Sequence, residues 1–563
     1  MSSEASGPVT LDEGAPGLGP REQSRSTTGP PRSPGTRSAK LATVSLCALA
    51  SGVGLGLSLP PWGWWVLAFP SAGLLWWRLR GLGPWHRLLA GWLAGLGCYI
   101  PGLMWARSFT LPGAIVLIIV EAAFMGAACL FVPAGPTLAR ALAFPGAMTM
   151  AEAARMTWPF GGLPIGGVFL GQADGPLIGV ARLGGPLGLT AVIYGGGVGL
   201  AALADALAVA MRDRARRRSS LPRASVGRGA HSATARMVAG LGASALVGSV
   251  AVLVVVGLGV VGDHAPDGGD SVGTLTAAAV QGGGARGFSK SQIDPAVVLA
   301  AQMAATATLA HRSGPAPQLV LWPEDVVSLD TTLRHSPEQA TLAHLARTLR
   351  TTLVVGVTET VSDTAFRNEV VAWGPDGAIV SRFEKVHRVP FGEYVPDRAF
   401  FSHLGNLSAV PLDAVPGTGS GLMHTPAAPL GAMVSYEVFY ADRGRSSVRH
   451  GAEVLIVPTN TSSYATAQVP TQEIAASEVQ AVQQGRDLLQ AAPTGYSAAI
   501  TNRGVLEQRS VLGARQIIST TLDRRVGWTL YVRYGDLPVL VLAAAGLAVG
   551  WLIAVRGRSV RRR

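Results

Sequence analysis

FEKVHRVPFGEYVP (383–396) decides the fold, read with LWPED (321–325) before it and MVSYE (433–437) after it. Lys385 is one of three lysines, with Lys40 and Lys290, in a chain that otherwise draws its cations from arginine. A lysine kept against that background suits a task arginine does poorly, a compact ammonium aimed at a developing oxyanion. A chance surface lysine is the plainer alternative. Glu324 closes the apolar run QLVLWP (318–323). A carboxylate at a buried strand end is desolvated and suits a general base; read alone, it is equally a solvated Glu at a strand exit. Ser435 ends another apolar run, GAMVSY (431–436), where it is either a presented nucleophile or a small buried residue. A Ser–His–Asp triad through His387 is conceivable, but the elbow pattern G-x-S-x-G is absent here.

Around these landmarks, 272–530 reads as an α/β layered domain. Short apolar runs at 274–281, 318–324, 352–359, 368–373, 431–436 and 452–459 predict buried strands. Helical stretches at 295–311, 337–350 and 468–491 alternate with them. GPDG (374–377) predicts a hairpin turn. No Gly-rich phosphate loop or metal-ligand cluster stands out.

Flanking this block are apolar runs of bilayer length, about 20 residues each. Seven precede it, near 41–60, 63–79, 87–106, 111–133, 137–158, 185–211 and 237–262, within a region 41–262. One follows at 537–555, ahead of a basic tail, 556–563. The fifth run carries Arg140, Glu152 and Arg155 and reads as tilted or partly interfacial. Trp62, Trp64, Trp65, Trp76 and Trp77 sit near span ends, as an aromatic belt does. Residues 1–40, rich in Gly, Pro, Ser and charge, predict a disordered tail and do not resemble a signal peptide.

Charge gives the orientation. Arginines cluster before the first run, around 78–87, through the loop 212–236 and in the C-terminal tail. Eight spans put all four clusters on one side, the cytoplasm, with both termini there and the 272–530 block outside. Its acidic entry, GDHAPDGGDS (262–271), agrees. The bulk composition fits a multi-pass protein of the cell membrane: 563 residues, 48% hydrophobic, 14% charged, mean hydropathy +0.33. The net charge of +12 follows from the arginine clusters and does not call for nucleic acid. Cys47, Cys98 and Cys129 all lie in the first 130 residues, so the soluble block has no disulfide, no cysteine-ligated zinc and no thiol nucleophile. Cys47 is a poor lipobox, because no apolar run precedes it.

The order LWPE, EKVHRVPFGEYVP, SYE, VPTNTSSY (457–464) and EVQAVQQGR (478–486) resembles the nitrilase-type domain of the apolipoprotein N-acyltransferases. PFGEYVP (390–396) is its most specific element, and the resemblance covers about 41–556. It implies an αββα sandwich on a base of about eight transmembrane helices. It makes Glu324 the general base, Lys385 the stabiliser of the tetrahedral intermediate and Glu393 a supporting glutamate. Tyr436 and Glu437 match the residues after the nucleophile, and Ser435 stands where the family has cysteine. The implied reaction is ping-pong: an acyl chain passes from a membrane phospholipid to the enzyme, then to the α-amine of a lipoprotein's diacylglyceryl-cysteine, with no cofactor. Actinobacterial relatives fused to a polyprenol-phosphate mannosyltransferase suggest such an enzyme as a partner. The alternatives are a weak or inactive relative that scaffolds a partner enzyme, and a membrane-tethered amidase.

Overall fold

The computed structural model describes residues 34–219, 228–285, 294–311, 316–403, 407–408, 410–464 and 466–562. Seven helices come first: α1 (Pro34–Leu57), α2 (Ala68–Arg78), α3 (Pro84–Gly102), α4 (Leu111–Phe131), α5 (Thr137–Arg155), α6 (Ala181–Ser219, kinked at Gly184–Gly185) and α7 (Arg228–His264). Among the described residues, four helices are long and apolar enough to cross a membrane: 111–131, 178–215, 242–264 and 537–559. The span expected at 63–79 contracts to a 3-10 turn and the 11-residue α2, about 16 Å long at 1.5 Å per residue. The basic loop expected over 212–236 is mostly helix, since α6 runs to Ser219 and α7 starts at Arg228; 220–227 fall outside the described residues. The tail expected over 1–40 falls outside them up to residue 33, and its remainder, 34–40, is the first part of α1 rather than disordered chain.

The soluble domain holds β1 (Ser271–Gln281), α8 (Pro295–Ala307), β2 (Leu319–Leu321), β3 (Val327–Leu329), α9 (Pro337–Leu349), β4 (Thr352–Ser362), β5 (Ala365–Trp373), β6 (Ile379–Glu384) and α10 (Arg398–Phe401). There follow β7 (Asp413–Ala414), β8 (Leu422–His424), β9 (Pro429–Ala432), α11 (Ala441–Arg449), β10 (Val454–Pro458), α12 (Gln468–Gln484), β11 (Leu488–Ala491), β12 (Ala498–Ile500), β13 (Leu506–Arg509) and β14 (Gln516–Arg525). Then α13 (Leu530–Tyr534) leads into α14 (Leu537–Arg562). One sheet runs β14-β1-β2-β4-β5-β6, with β3 on β4 and β7 on β5; the other runs β13-β12-β11-β10-β9-β8.

Alternation along the strands makes the layers. Leu275, Ala277 and Ala279 of β1, Leu319 and Leu321 of β2 and Val354 of β4 face Leu430, Val454, Ile456 and Leu489 of the other sheet, in one core between the sheets. Their neighbours Ala278, Val280, Val320, Leu353 and Val355 point outward beneath Leu342 and Ala346 of α9. Leu455, Val457 and Leu488 point the opposite way, under Val469, Ala475 and Val479 of α12. A period of two, with both faces apolar, is what a doubly covered sheet requires. The result is an αββα sandwich.

The GPDG turn closes between β5 and β6, with Gly377 N–H donating to Gly374 O at 2.8 Å. Two expectations change. The helix predicted over 468–491 ends at Gln484, where Gly485 caps it in the left-handed region (φ 64°), and 488–491 becomes β11. The strand predicted over 431–436 is β9, which ends at Ala432; Ser435–Phe439 is a 3-10 turn.

α12 also packs on the N-terminal helices, because its apolar face is continuous with theirs. Two glutamines lock this seam. Gln468 Nε2 donates to Gly102 O at 3.1 Å, and its Oε1 accepts from Trp105 N–H at 3.0 Å. Gln472 bonds Gly102 O, Pro60 O and the N–H of Gly166. At the opposite helix ends, Arg80 pairs with Asp205 at 3.3 Å and Arg558 reaches Ala134 O at 3.4 Å. The connection after α5 is held by Arg155, buried between Glu121 (3.1 Å) and Glu152 (2.6 Å) and bonded to the carbonyls of Leu163, Pro164 and Ile165. Arg155→Met leaves two buried carboxylates without their cation, a loss of about 3–5 kcal/mol. A fall in thermal midpoint in detergent is the expected result, and an unchanged midpoint would show that this cluster does not hold the base together.

Candidate active site

Glu324 sits just past β2, which is clamped between β1 and β4. The N–H of Trp322 donates to Val354 O at 2.8 Å. Trp322 is fully buried, and the next residues turn at once, with Asp325 at φ 57°. Gly356 of β4 passes beneath. A Cβ there would stand 2.5 Å from the Cα of Glu324, so only glycine admits this approach. The chain thus delivers the Glu324 carboxyl into the interior, where it is 5% exposed.

Lys385 follows β6 and is 2% exposed. Its Nζ donates to Glu324 Oε1 and Glu393 Oε1, each at 2.9 Å. Asn368, at 3% exposure in β5, donates through Nδ2 to the same two oxygens at 2.9 and 2.8 Å. Glu393 is fixed again by Val389 N–H at 2.7 Å, within the PFGEYVP loop. Burial opposes the Lys385 charge, but its two carboxylates outweigh burial and hold the ammonium above the ordinary lysine range. Burial lifts the Glu324 carboxyl above the usual carboxylate range, Lys385 pulling it back and Glu393 adding to the rise. A carboxylate so placed is a stronger base than one in water.

Ser435 opens the 3-10 turn after β9, half-buried, at φ 49°. A non-glycine residue in the left-handed region carries about 1–3 kcal/mol of strain, held by its surroundings. Glu437 supplies the hold. Its carboxylate accepts from Val434 N–H (2.8 Å) across the strained residue, and from Val386 (2.8 Å) and His387 (3.0 Å), which directly follow Lys385. One buried carboxylate thereby ties the Ser435 turn to the lysine segment. Thr459 Oγ1 lies 3.2 Å from Ser435 Oγ and also bonds Glu473 of α12.

The N-terminal helices and their connections supply one wall. Tyr436 and Tyr440 both donate to Gly162 O, at 3.1 and 2.9 Å, and Tyr394 donates to Phe160 O at 3.3 Å. Trp105 and Phe109, between α3 and α4, stand edge-on to Tyr464, with centroids 5.4 Å away in each case. Phe160 packs edge-on against Phe391 and Phe401. Phe160 and Phe391 are nearly half exposed, giving the site an aromatic rim where domain and membrane helices meet.

Glu324, Lys385 and Glu393 thus meet directly, and Ser435, Tyr436 and Glu437 join them through Glu437. The triad through His387 does not form. His387 stacks flat on Tyr440 at 4.0 Å with Asp442 3.6 Å from Nε2, and the hydroxyl beside Ser435 is that of Thr459. Asn368 escaped the sequence reading, although an amide opening the apolar strand NEVVAW was its signal. Thr459 lies inside the VPTNTSSY motif and Glu473 inside the helix predicted over 468–491, neither with an assigned role.

Two family descriptions match the chain, "Apolipoprotein N-acyltransferase N-terminal domain" over 51–198 and "Carbon-nitrogen hydrolase" over 276–527. The apolipoprotein N-acyltransferase of Mycolicibacterium smegmatis is 30% identical over 533 residues, covering 90% of this chain and 84% of its own. The chain belongs to the apolipoprotein N-acyltransferase family. A second relative of that name, from Brucella melitensis, is 27% identical over 559 residues, covering 91% of this chain and 96% of its own. Among solved structures, Saccharomyces cerevisiae Nit3, from branch 10 of the nitrilase superfamily, is similar over 45% of this chain and 91% of its own, at 20% identity and a TM-score of 0.35. In an N-acyltransferase site of this geometry, Asn368 orients both carboxylates. Asn368→Ala removes two hydrogen bonds to charged groups and lowers turnover about 10–100-fold. Turnover within twofold of the parent would relieve Asn368 of that part.

Proposed function

We propose that this chain transfers an acyl chain from a membrane phospholipid to the α-amine of the N-terminal diacylglyceryl-cysteine of lipoproteins, the last step of their maturation, with Ser435 as nucleophile. The observation that carries the reading is the buried Lys385 bridging Glu324 and Glu393, with its segment joined to the strained Ser435 turn by Glu437.

In the first half-reaction Glu324 takes the Ser435 proton as Oγ attacks the ester carbonyl. Lys385 Nζ faces the oxyanion. Collapse breaks the carbon–oxygen bond to glycerol, and the proton on Glu324 passes to the leaving oxygen, giving a lysophospholipid. In the second, the acceptor amine attacks the acyl-serine. The amide forms, Oγ leaves, and the amine proton returns through Glu324 to Ser435. Glu393 and Asn368 fix the base and the cation, while Tyr436 and Tyr440 anchor the turn to the membrane base. These steps require no cofactor.

Serine changes the demands on the base. A thiol ionises near 8.5, whereas a hydroxyl is a weak nucleophile until its proton is being removed. The raised Glu324 carboxyl answers that demand. The acyl-oxygen ester is also less reactive toward an amine than a thioester. Intact Glu324, Lys385 and Glu393 favour retained chemistry over a scaffold role, and the full-length match favours acyl transfer over a tethered amidase. The mannosyltransferase partner draws no support from the comparisons.

The proposal includes an orientation: about eight spans, the 272–530 domain outside and both termini in the cytoplasm. It is supported by the helix ends. Those at Pro60, Gly102, Gly162 and Gly166 contact the domain, while the arginine-bearing ends at Arg80 and Arg558 lie at the other pole. A cysteine introduced at Asp376, in the hairpin turn, is expected to react with an impermeant maleimide on whole cells; labelling only after lysis would invert the topology.

Mass spectrometry of a diacylated lipopeptide incubated with phospholipid and enzyme tests the chemistry. The parent is expected to give triacylated product and Ser435→Ala none. Ser435→Cys is expected to be faster than the parent. Product from Ser435→Ala would remove Ser435 from the nucleophile's place, and product from Ser435→Cys alone would identify a sound site silenced by one atom. The rate of acyl-enzyme formation should rise with pH until Glu324 is ionised, through a midpoint above the ordinary carboxylate range. A midpoint within that range would count against Glu324 as the base.

A further inference from the structure

The steps above leave one acid of the site unused. Glu473 lies on α12 and is 1% exposed. Its Oε1 is bonded to Thr459 Oγ1, and its Oε2 has no hydrogen-bond partner among the described residues. Thr459 follows β10, and its hydroxyl stands 3.2 Å from Ser435 Oγ. Three groups thus form one file: Ser435 hydroxyl, Thr459 hydroxyl, Glu473 carboxyl.

A hydroxyl owns one proton. When Glu473 is ionised, Thr459 gives its proton to the carboxylate and can only accept from Ser435. The Ser435 proton then points at Thr459 and is engaged there. When Glu473 is protonated it donates to Thr459, Thr459 donates to a lone pair of Ser435, and the Ser435 proton is left free for Glu324. We propose that Glu473, acting through the Thr459 hydroxyl, is a positioning residue that sets which way the Ser435 proton points, its protonated form holding the productive direction. This rests on the reading of Ser435 as the nucleophile. A serine depends on such alignment more than a cysteine does, because its proton must leave during attack, whereas a thiolate forms beforehand.

The surroundings of Glu473 agree. Burial lifts its carboxyl to about 8, the Thr459 bond and Lys385 pulling it back and Glu324 adding to the rise. Those are the charged groups acting on it from the elements around α12, and Tyr464 is the ionisable ring that senses it. At neutral pH the carboxyl is therefore largely protonated.

The test uses full-length enzyme in lipid nanodiscs and follows single-turnover release of lysophospholipid against pH, which leaves the acceptor amine out. The parent's rate is expected to fall as pH rises through about 8. Glu473→Gln cannot ionise and is expected to keep most of the neutral-pH rate while losing that alkaline fall. Glu473→Ala and Thr459→Val break the file and should slow release about tenfold or more, the worth of roughly one oriented hydrogen bond. Equal loss in Glu473→Gln and Glu473→Ala, or an alkaline fall that survives Glu473→Gln, overturns the proposal. A readout free of turnover is the infrared band of the protonated carboxyl assigned by Glu473→Gln. Its titration midpoint should rise in Thr459→Val, because the Thr459 bond lowers it in the parent; an unmoved midpoint also overturns the proposal. Ser435→Ala separates the two readings. If release is lost there but the Glu473 and Thr459 variants behave as the parent, the relay alone fails. If release survives, the nucleophile assignment fails and the relay with it.

Discussion

A lysine ammonium held between two carboxylates, out of reach of water, is the constraint on which the rest of the domain depends. Lys385 and Glu393 come from one stretch, 383–396, and Glu324 from another, and a charge at 2% exposure is tolerable only if all three arrive together. β2 must end where Pro323 ends it, β4 must carry glycine at 356 to pass beneath, and the PFGEYVP loop must fold back on its own backbone to present Glu393. Asn368 then satisfies the two oxygens the lysine already holds. Such a cluster is costly to bury, and in a cleft it marks a candidate functional site.

The strain at Ser435 belongs to the same constraint. A left-handed φ at a non-glycine residue needs a clamp on both sides. Glu437 provides it with bonds to the backbone before Ser435 and after Lys385. The Ser435 turn and the Lys385 segment are positioned by one carboxylate, so a change that loosens either loosens both.

Much of this was legible in the chain. The strands at 274–281, 318–324 and 352–359 were marked by continuous apolar runs, which a sheet covered on both faces produces. Glu324 and Lys385 stood out because each was unusual in place or type. What escaped depended on contacts between distant segments. Asn368 looks like the polar start of a strand until β5 lies beside Glu324. The end of α12 was missed because EVQAVQQGRDLLQA keeps an apolar rhythm across Gly485, and only the left-handed cap shows where helix gives way to strand. Ser435 reads as the end of a strand because GAMV is apolar up to it, whereas the pairing of β9 stops at Ala432. The 63–79 run was apolar enough for a full span, but the 3-10 turn at Trp65–Leu67 takes up part of it.

The carbonyl of Gly162, in the connection after α5, accepts the hydroxyls of Tyr436 and Tyr440, within and just after the Ser435 turn. The underside of α12 shares one apolar core with α3 and α6. An excised 272–530 domain would therefore keep its Glu–Lys cluster yet lose the acceptor for two buried phenols, and would expose the apolar surface beneath α12. The N-terminal helices are thus a structural half of the site.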